Sequence, residues 1–306
     1  MIKIEFVNFM GWERCVRLSN GIVDLIATTE VGPRIVRFGF EGGQNELALD
    51  RAACGLKGGD EFRLYGGHRL WHSPEDRRRT YLPDNEPVDF REIEGGIRLI
   101  QKPEALAHTQ KQIDILMDEK ESRVKLIHRI TNLGLWPVEL SAWAITILDA
   151  GGIEIIPQPA RDTDLLPNRR IALWPYSRMN DERVHWGERY VIIKQNPGIK
   201  RPFKLGINNE AGWAAYGRGG HLFFKKYRHD PEATYPDFGV SYETYTTDWM
   251  LEMETLSPFV KLQPGEGVEH VEEWELYDGV KLEEIDEGGI DEIIEKTLNK
   301  CMEESL

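Results

Sequence analysis

Cysteine is scarce in this 306-residue chain: Cys15, Cys54 and Cys301 are an odd count at wide spacings. No CxxC pair and no disulfide framework can be drawn from them, so reduced thiols are expected. No apolar run approaches the ~18 residues of a membrane span. The first residues lack the basic segment and apolar stretch of a signal peptide, and a cytoplasmic location is expected. Positive charge is also short. Lys and Arg number 38 against 52 Asp and Glu, a net charge of −14. That balance excludes nucleic acid and anionic membranes as partners, because both demand a basic surface. There is no nucleophile elbow, no phosphate-cradling glycine loop and no dinucleotide fingerprint, so no cofactor is expected. Repeats, low-complexity stretches and Ser/Gly linkers are missing too. One domain over 1–306 is expected, its core ending near 278.

What remains is ample for a core: 41% hydrophobic residues, including nine tryptophans. Short runs rich in Val, Ile, Thr and aromatics recur at 2–9, 34–40, 96–101, 112–117, 123–131, 139–148, 190–194, 212–216, 221–227, 240–245, 249–256 and 268–277. Turn residues punctuate them, as at Asn132-Leu133-Gly134 and Gln263-Pro264-Gly265. Many short strands with frequent turns predict an all-β sandwich. Two stretches depart from this rhythm. Residues 50–88 are Gly-, Arg- and Pro-rich, hold Tyr65 and Trp71, and read as a long functional loop. Near 288–304, Ile290, Ile293, Ile294, Thr297, Leu298, Cys301 and Met302 fall at helical spacing, predicting an amphipathic C-terminal helix packed on the domain.

Within 249–256, strand alternation sends Trp249, Leu251 and Met253 to one face and Met250, Glu252 and Glu254 to the other. The apolar face reads as core. The carboxylate face reads as solvent or as a cleft.

The segment continues through Pro258, Leu262-Gln263-Pro264-Gly265-Glu266 and a closing strand with His270 and Trp274. In that order these elements resemble the C-terminal part of galactose mutarotases and related aldose epimerases. The run Tyr65-Gly66-Gly67-His68-Arg69-Leu70-Trp71-His72-Ser73-Pro74-Glu75 resembles their GG-containing ligand loop. The resemblance implies a large antiparallel β-supersandwich and acid/base chemistry at a sugar's anomeric carbon. It places the base on Glu254, in Met253-Glu254-Thr255. The family's acid is a histidine on the strand after a Thr-Asn-x-Gly turn. The turn is present as Thr131-Asn132-Leu133-Gly134, but the strand offers Ala142, Trp143 and Ala144 instead.

An acid and a base must reach one sugar. His68 and His72 are the substitutes for the missing acid. Arg69 and Arg34 would clamp ligand oxygens, and Trp71 would stack on the ring. Glu252 shares the carboxylate face, and Asp237, on a loop, lines the cleft or forms a turn. His68, His72 and Glu75 would make a metal set only on a helix, and Gly66-Gly67 and Pro74 argue for a loop, so no metal is expected. Trp143 and Trp213 read as core, and Tyr235 is a further stacking candidate. Arg77-Arg78-Arg79 and the 225–229 cluster read as a solvated face or a phosphate clamp. The expected partner is a small-molecule sugar or sugar phosphate, with a homodimer left open. A non-catalytic sugar sensor, or another carbohydrate chemistry on the same fold, are the alternatives.

Overall fold

The computed structural model describes residues 1–282 and 287–303, the stretch 298–303 as helix backbone only. Among these the chain forms twenty-one strands, β1 to β21 in chain order, and one helix, α1 (Glu287–Glu303). The first sheet runs β1 (Lys3–Phe9), β2 (Trp12–Ser19), β3 (Val23–Thr28), β4 (Arg34–Phe40), β5 (His68–Ser73), β10 (Val138–Asp149), β19 (Met250–Leu256), β18 (Tyr242–Thr246), β15 (Phe203–Ile207) and β12 (Ile171–Leu173). A short strand, β20 (Val260–Leu262), pairs with the start of β10. The second sheet runs β13 (Val184–Trp186), β14 (Tyr190–Lys194), β11 (Ile153–Pro157), β16 (Trp213–Arg218), β17 (His221–Tyr227), β21 (Gly267–Asp278), β9 (Arg123–Asn132), β8 (Thr109–Met117), β7 (Gly96–Ile100) and β6 (Asp89–Ile93). Pairing is antiparallel across the middle of both sheets. The all-β sandwich expected from the sequence is therefore the fold, and the runs at 34–40, 190–194 and 221–227 are strands with those bounds.

The sheets face each other across one apolar layer. Phe38 on β4 meets Phe223 on β17 at 6.0 Å and Trp274 on β21 at 5.6 Å, ring centre to ring centre. Antiparallel sheets need only one buried face, and both outer faces here carry further cover. On the second sheet, Ile290 and Ile294 of α1 pack with Ile155, Ile192, Leu222 and Phe224. The helical face predicted for the tail is thus the buried one. The side chains of Leu298, Cys301 and Met302 lie outside the described residues. No helix among the described residues is long and apolar enough to cross a membrane.

The stretch 50–88 differs from expectation. It is irregular at both ends, but its middle is β5, a buried strand between β4 and β10. The glycines before it mark a tight approach, not a continuing loop. Gly66 and Gly67 have φ of +87° and +73°, and a Cβ at Gly67 would sit 2.1 Å from the Ile35 carbonyl oxygen. Only glycine fits there, and once past it the chain is free to alternate as a strand.

Phe38 is fully buried with rings from the other sheet around it. Phe38→Ala is expected to cost about 3–5 kcal/mol of unfolding free energy, read from urea denaturation. A loss below about 1 kcal/mol would mean that the inter-sheet layer does not carry the fold.

Candidate active site

Five neighbouring strands of the first sheet, β5, β10, β19, β18 and β15, build a cleft on its outer face. Alternation on β19 puts Leu251 and Met253 in the inter-sheet core and Met250 on the outer face, with Glu252 and Glu254 in phase with it. Cross-strand register lines up Arg69, Ile145, Glu254 and Glu243 in one row. The next row holds Ile147, Glu252, Tyr245 and Lys204. Trp71 pairs with Trp143 in a third. Directly opposed residues share a face, so the carboxylates, the two cations and the indoles converge.

The main cavity holds about 530 Å³. Its walls include Phe62, Trp71, Tyr81, Trp143, Trp174 and Tyr245, and its charged groups are Arg69, Glu75, Lys204 and Glu252. The irregular flanks of β5 supply Phe62, Glu75 and Tyr81, so the stretch expected to be functional does reach the site. Trp71 meets Trp143 edge-on at 5.4 Å and Tyr81 at 5.1 Å. The Arg69 guanidinium lies 3.9 Å over the Trp71 ring, and its Nη2 is 3.6 Å from Glu252 Oε1.

Lys204 is the electrostatic centre. Its Nζ sits 2.8 Å from Glu243 Oε2 and 2.8 Å from Glu254 Oε2, and 4.5 and 4.7 Å over the rings of Trp143 and Trp174. Burial works against its charge, yet Glu243 and Glu254 together hold its pKa well above the usual lysine range. Burial pushes the Glu243 carboxyl well up, against the pull of Lys204. Burial likewise raises Glu252 to about 7, against the Arg69 charge and with Glu254 adding to the rise. Glu252 therefore stands near neutrality, where a group can both accept and donate a proton.

Several predicted site residues lie elsewhere. His68 and His72 alternate with Arg69 and Trp71 on β5, so they point the other way, between the sheets. His68 Nε2 lies 2.7 Å from His128 Nε2, its Nδ1 2.9 Å from Thr146 Oγ1, and its ring packs on Trp274. Burial holds His68 well below the ordinary histidine range and lowers His72 to about 4. Neither reaches the cleft, so neither is the acid facing Glu254. Glu254 is on the cleft face but fully buried, and lines neither cavity. Its Oε2 accepts from Trp143 Nε1 at 2.8 Å and from Lys204, which lie over it.

Arg34 is no clamp. It is fully buried, held by Asp84 at 2.6 Å and by the carbonyls of Leu64 and Gly66. Asp237 lines a second cavity of about 360 Å³ with Glu243, Pro74 and Arg77. Tyr235 stacks on His229 at 5.0 Å, away from both cavities. Trp213 packs on Phe224 as expected of a core residue, whereas Trp143, also expected in the core, floors the cleft. Lys225 is buried between the sheets against Glu272 at 3.0 Å, whereas Lys226 is half-buried and paired with Glu275 and Arg228 is exposed, so the cluster does not share one face.

The strand alternation that revealed Glu252 would also have separated Arg69 from His68, had 68–73 been read as a strand. Lys204, Glu243 and Trp174 carry no local motif; only the sheet order brings them in.

No protein-family model matches the sequence, and a comparison with curated proteins finds no match. Solved structures do match in fold. A TPR-domain containing protein from Parabacteroides distasonis superposes with a TM-score of 0.59 at 14% identity, over 90% of this chain and 49% of that one. This chain thus spans about half the length of that relative. A galactose mutarotase-like protein from Lactobacillus casei gives 0.58 at 9% identity, over 86% of this chain and 100% of the other. A candidate aldose 1-epimerase from Escherichia coli K12 gives 0.55 at 12% identity, over 91% and 100%. The mutarotase-like fold implied by the sequence is the fold found. At these identities the likeness is one of architecture.

The raised Glu252 pKa fixes the sign of a pH effect. Its folded-state pKa lies above the unfolded value, so its contribution is complete below about 4.5 and is lost as pH rises through about 7. Glu154, buried and raised to about 8, acts in the same direction. The readout is therefore the difference between proteins. Wild type should lose about 2 kcal/mol more stability than Glu252→Gln between pH 5 and pH 8, measured by urea denaturation at both. Equal losses would place Glu252 in a solvated setting.

Proposed function

We propose that the chain binds a carbohydrate in the main cavity and interconverts the anomers of an aldose by acid/base catalysis. The observation that carries this reading is the pairing of an aromatic-walled cavity with a few buried, convergent charged groups. Aromatic faces suit the C–H surface of a sugar ring, and carboxylate, guanidinium and ammonium groups suit its hydroxyls. The shared fold with mutarotase-like proteins supports it.

The chemistry is assigned to groups that face the cavity. Glu252, with a pKa near neutrality, removes the proton from the anomeric hydroxyl. The C1–O5 bond breaks as C1 becomes a carbonyl, and O5 leaves with the electron pair beside the Lys204 ammonium, which stabilises the developing charge while O5 takes a proton from water. After rotation about C1–C2, closure on the opposite face of C1 returns both protons. Glu243 and Glu254 keep Lys204 charged and in place, and Arg69 holds Glu252. The base role implied for Glu254 thus moves two residues along the same strand, because Lys204 and Trp143 cover Glu254.

A second reading, a binding protein without catalysis, is favoured by one observation. Among the described residues no histidine lines either cavity.

Polarimetry on α-glucose, α-galactose and their 6-phosphates separates the two. Wild type should accelerate at least one, and Glu252→Gln should lower that rate by about 10²-fold or more, the usual contribution of a general base. Binding without acceleration would leave the non-catalytic reading. Full activity in Glu252→Gln would remove Glu252 from the chemistry.

A further inference from the structure

The main cavity does not end at its own walls. The second cavity shares Glu75, Trp143 and Trp174 with it, so the two meet at one junction, with Lys204 set over both indoles. Their volumes, about 530 and 360 Å³, each fall within the roughly 300–1,000 Å³ that drug-sized ligands fill. A single hexose is smaller than such ligands, and it would leave one chamber vacant. The second chamber is lined with the groups that bind hydroxyls, namely Arg77, Asp237 and Glu243. Glu243 is almost wholly buried, and its Oε1 has no hydrogen-bond partner.

An independent feature stands beside that chamber. Asp237, Phe238 and Gly239 are three consecutive residues with positive φ, at 49°, 69° and 95°. A bulky residue in the left-handed region is strained, and such strain persists at functional sites. This turn carries the Phe238 ring, which is 96% exposed and next in sequence to Asp237, a residue that lines the chamber. An exposed aromatic on such a turn suits a stacking platform for a ring that projects from the cleft.

We propose that the ligand is an oligosaccharide of at least two units, one ring in the main cavity and the next in the chamber of Arg77, Asp237 and Glu243, against Phe238. This rests on the carbohydrate reading of the main cavity and extends it from a monosaccharide to a glycan.

Titration calorimetry on the full chain tests it, with glucose and galactose set against maltose, cellobiose, lactose and melibiose. The best disaccharide should bind about tenfold or more tighter than its component monosaccharides. Phe238→Ala and Arg77→Ala, both at exposed positions, should abolish most of that gain and leave monosaccharide affinity within about twofold. If monosaccharides bind and no disaccharide binds tighter, the second subsite is wrong while the main cavity stands. A gain that survives both substitutions also overturns it. If no saccharide binds at all, the carbohydrate reading falls and this proposal with it. Thermal melting of both variants verifies that they are folded.

Discussion

A strand turns successive side chains to opposite faces, and the middle of the first sheet uses that alternation to keep two sets of buried polar groups apart. On one side of β5, His68 joins His128 between the sheets. On the other, Arg69 stacks on Trp71 above the cleft. A one-residue slip of β5 would exchange the two sets, sending a guanidinium into the apolar layer and an imidazole into the cleft. The glycine pinch before the strand, where Gly67 leaves no room for a Cβ, sets its starting point. The site therefore depends on register before it depends on any single ion pair.

The interior set is self-contained. His128 Nδ1 donates to the His270 carbonyl at 2.9 Å, which leaves its Nε2 as acceptor for His68. Glu272, fully buried, is held by Lys225 and by the indole N–H of Trp274. Lys225 above all keeps the Glu272 carboxylate far below the usual range in spite of burial, with the surrounding histidines acting in the same direction. Removing one member of such a group strands its partner in a low-dielectric interior, so these side chains read as parts of the scaffold.

The sequence made the architecture legible for a plain reason. Two-residue periodicity and turn residues are local, and runs such as those of β4, β14 and β17 carry them clearly. It missed β5 because glycines and prolines flank it and its polar residues fall on both faces, His68 and His72 on one and Arg69 and Ser73 on the other, so no single polar phase betrays the strand. Half of the site was visible: Glu252 and Glu254 from their phase on β19, and Arg69 and Trp71 from the motif around them. The other half was not. Lys204 and Glu243 reach the cleft because β15 and β18 pair next to β19, an order fixed by long-range packing. Cover, too, is a property of the fold, and it is Trp143 and Lys204 lying on Glu254 that set it apart from Glu252, which lines the cavity two residues away.

The two outer faces of the sandwich have had different fates. Over the second sheet, α1 lays Ile290 and Ile294 on a flat patch of Ile155, Ile192, Leu222 and Phe224. Stripped of that helix, the patch would be a sticky plane, ready to adhere to a second copy or to any other apolar surface. The chain thus plugs one of its faces with its own tail, and the opposite face is left to hold the aromatic-walled cleft.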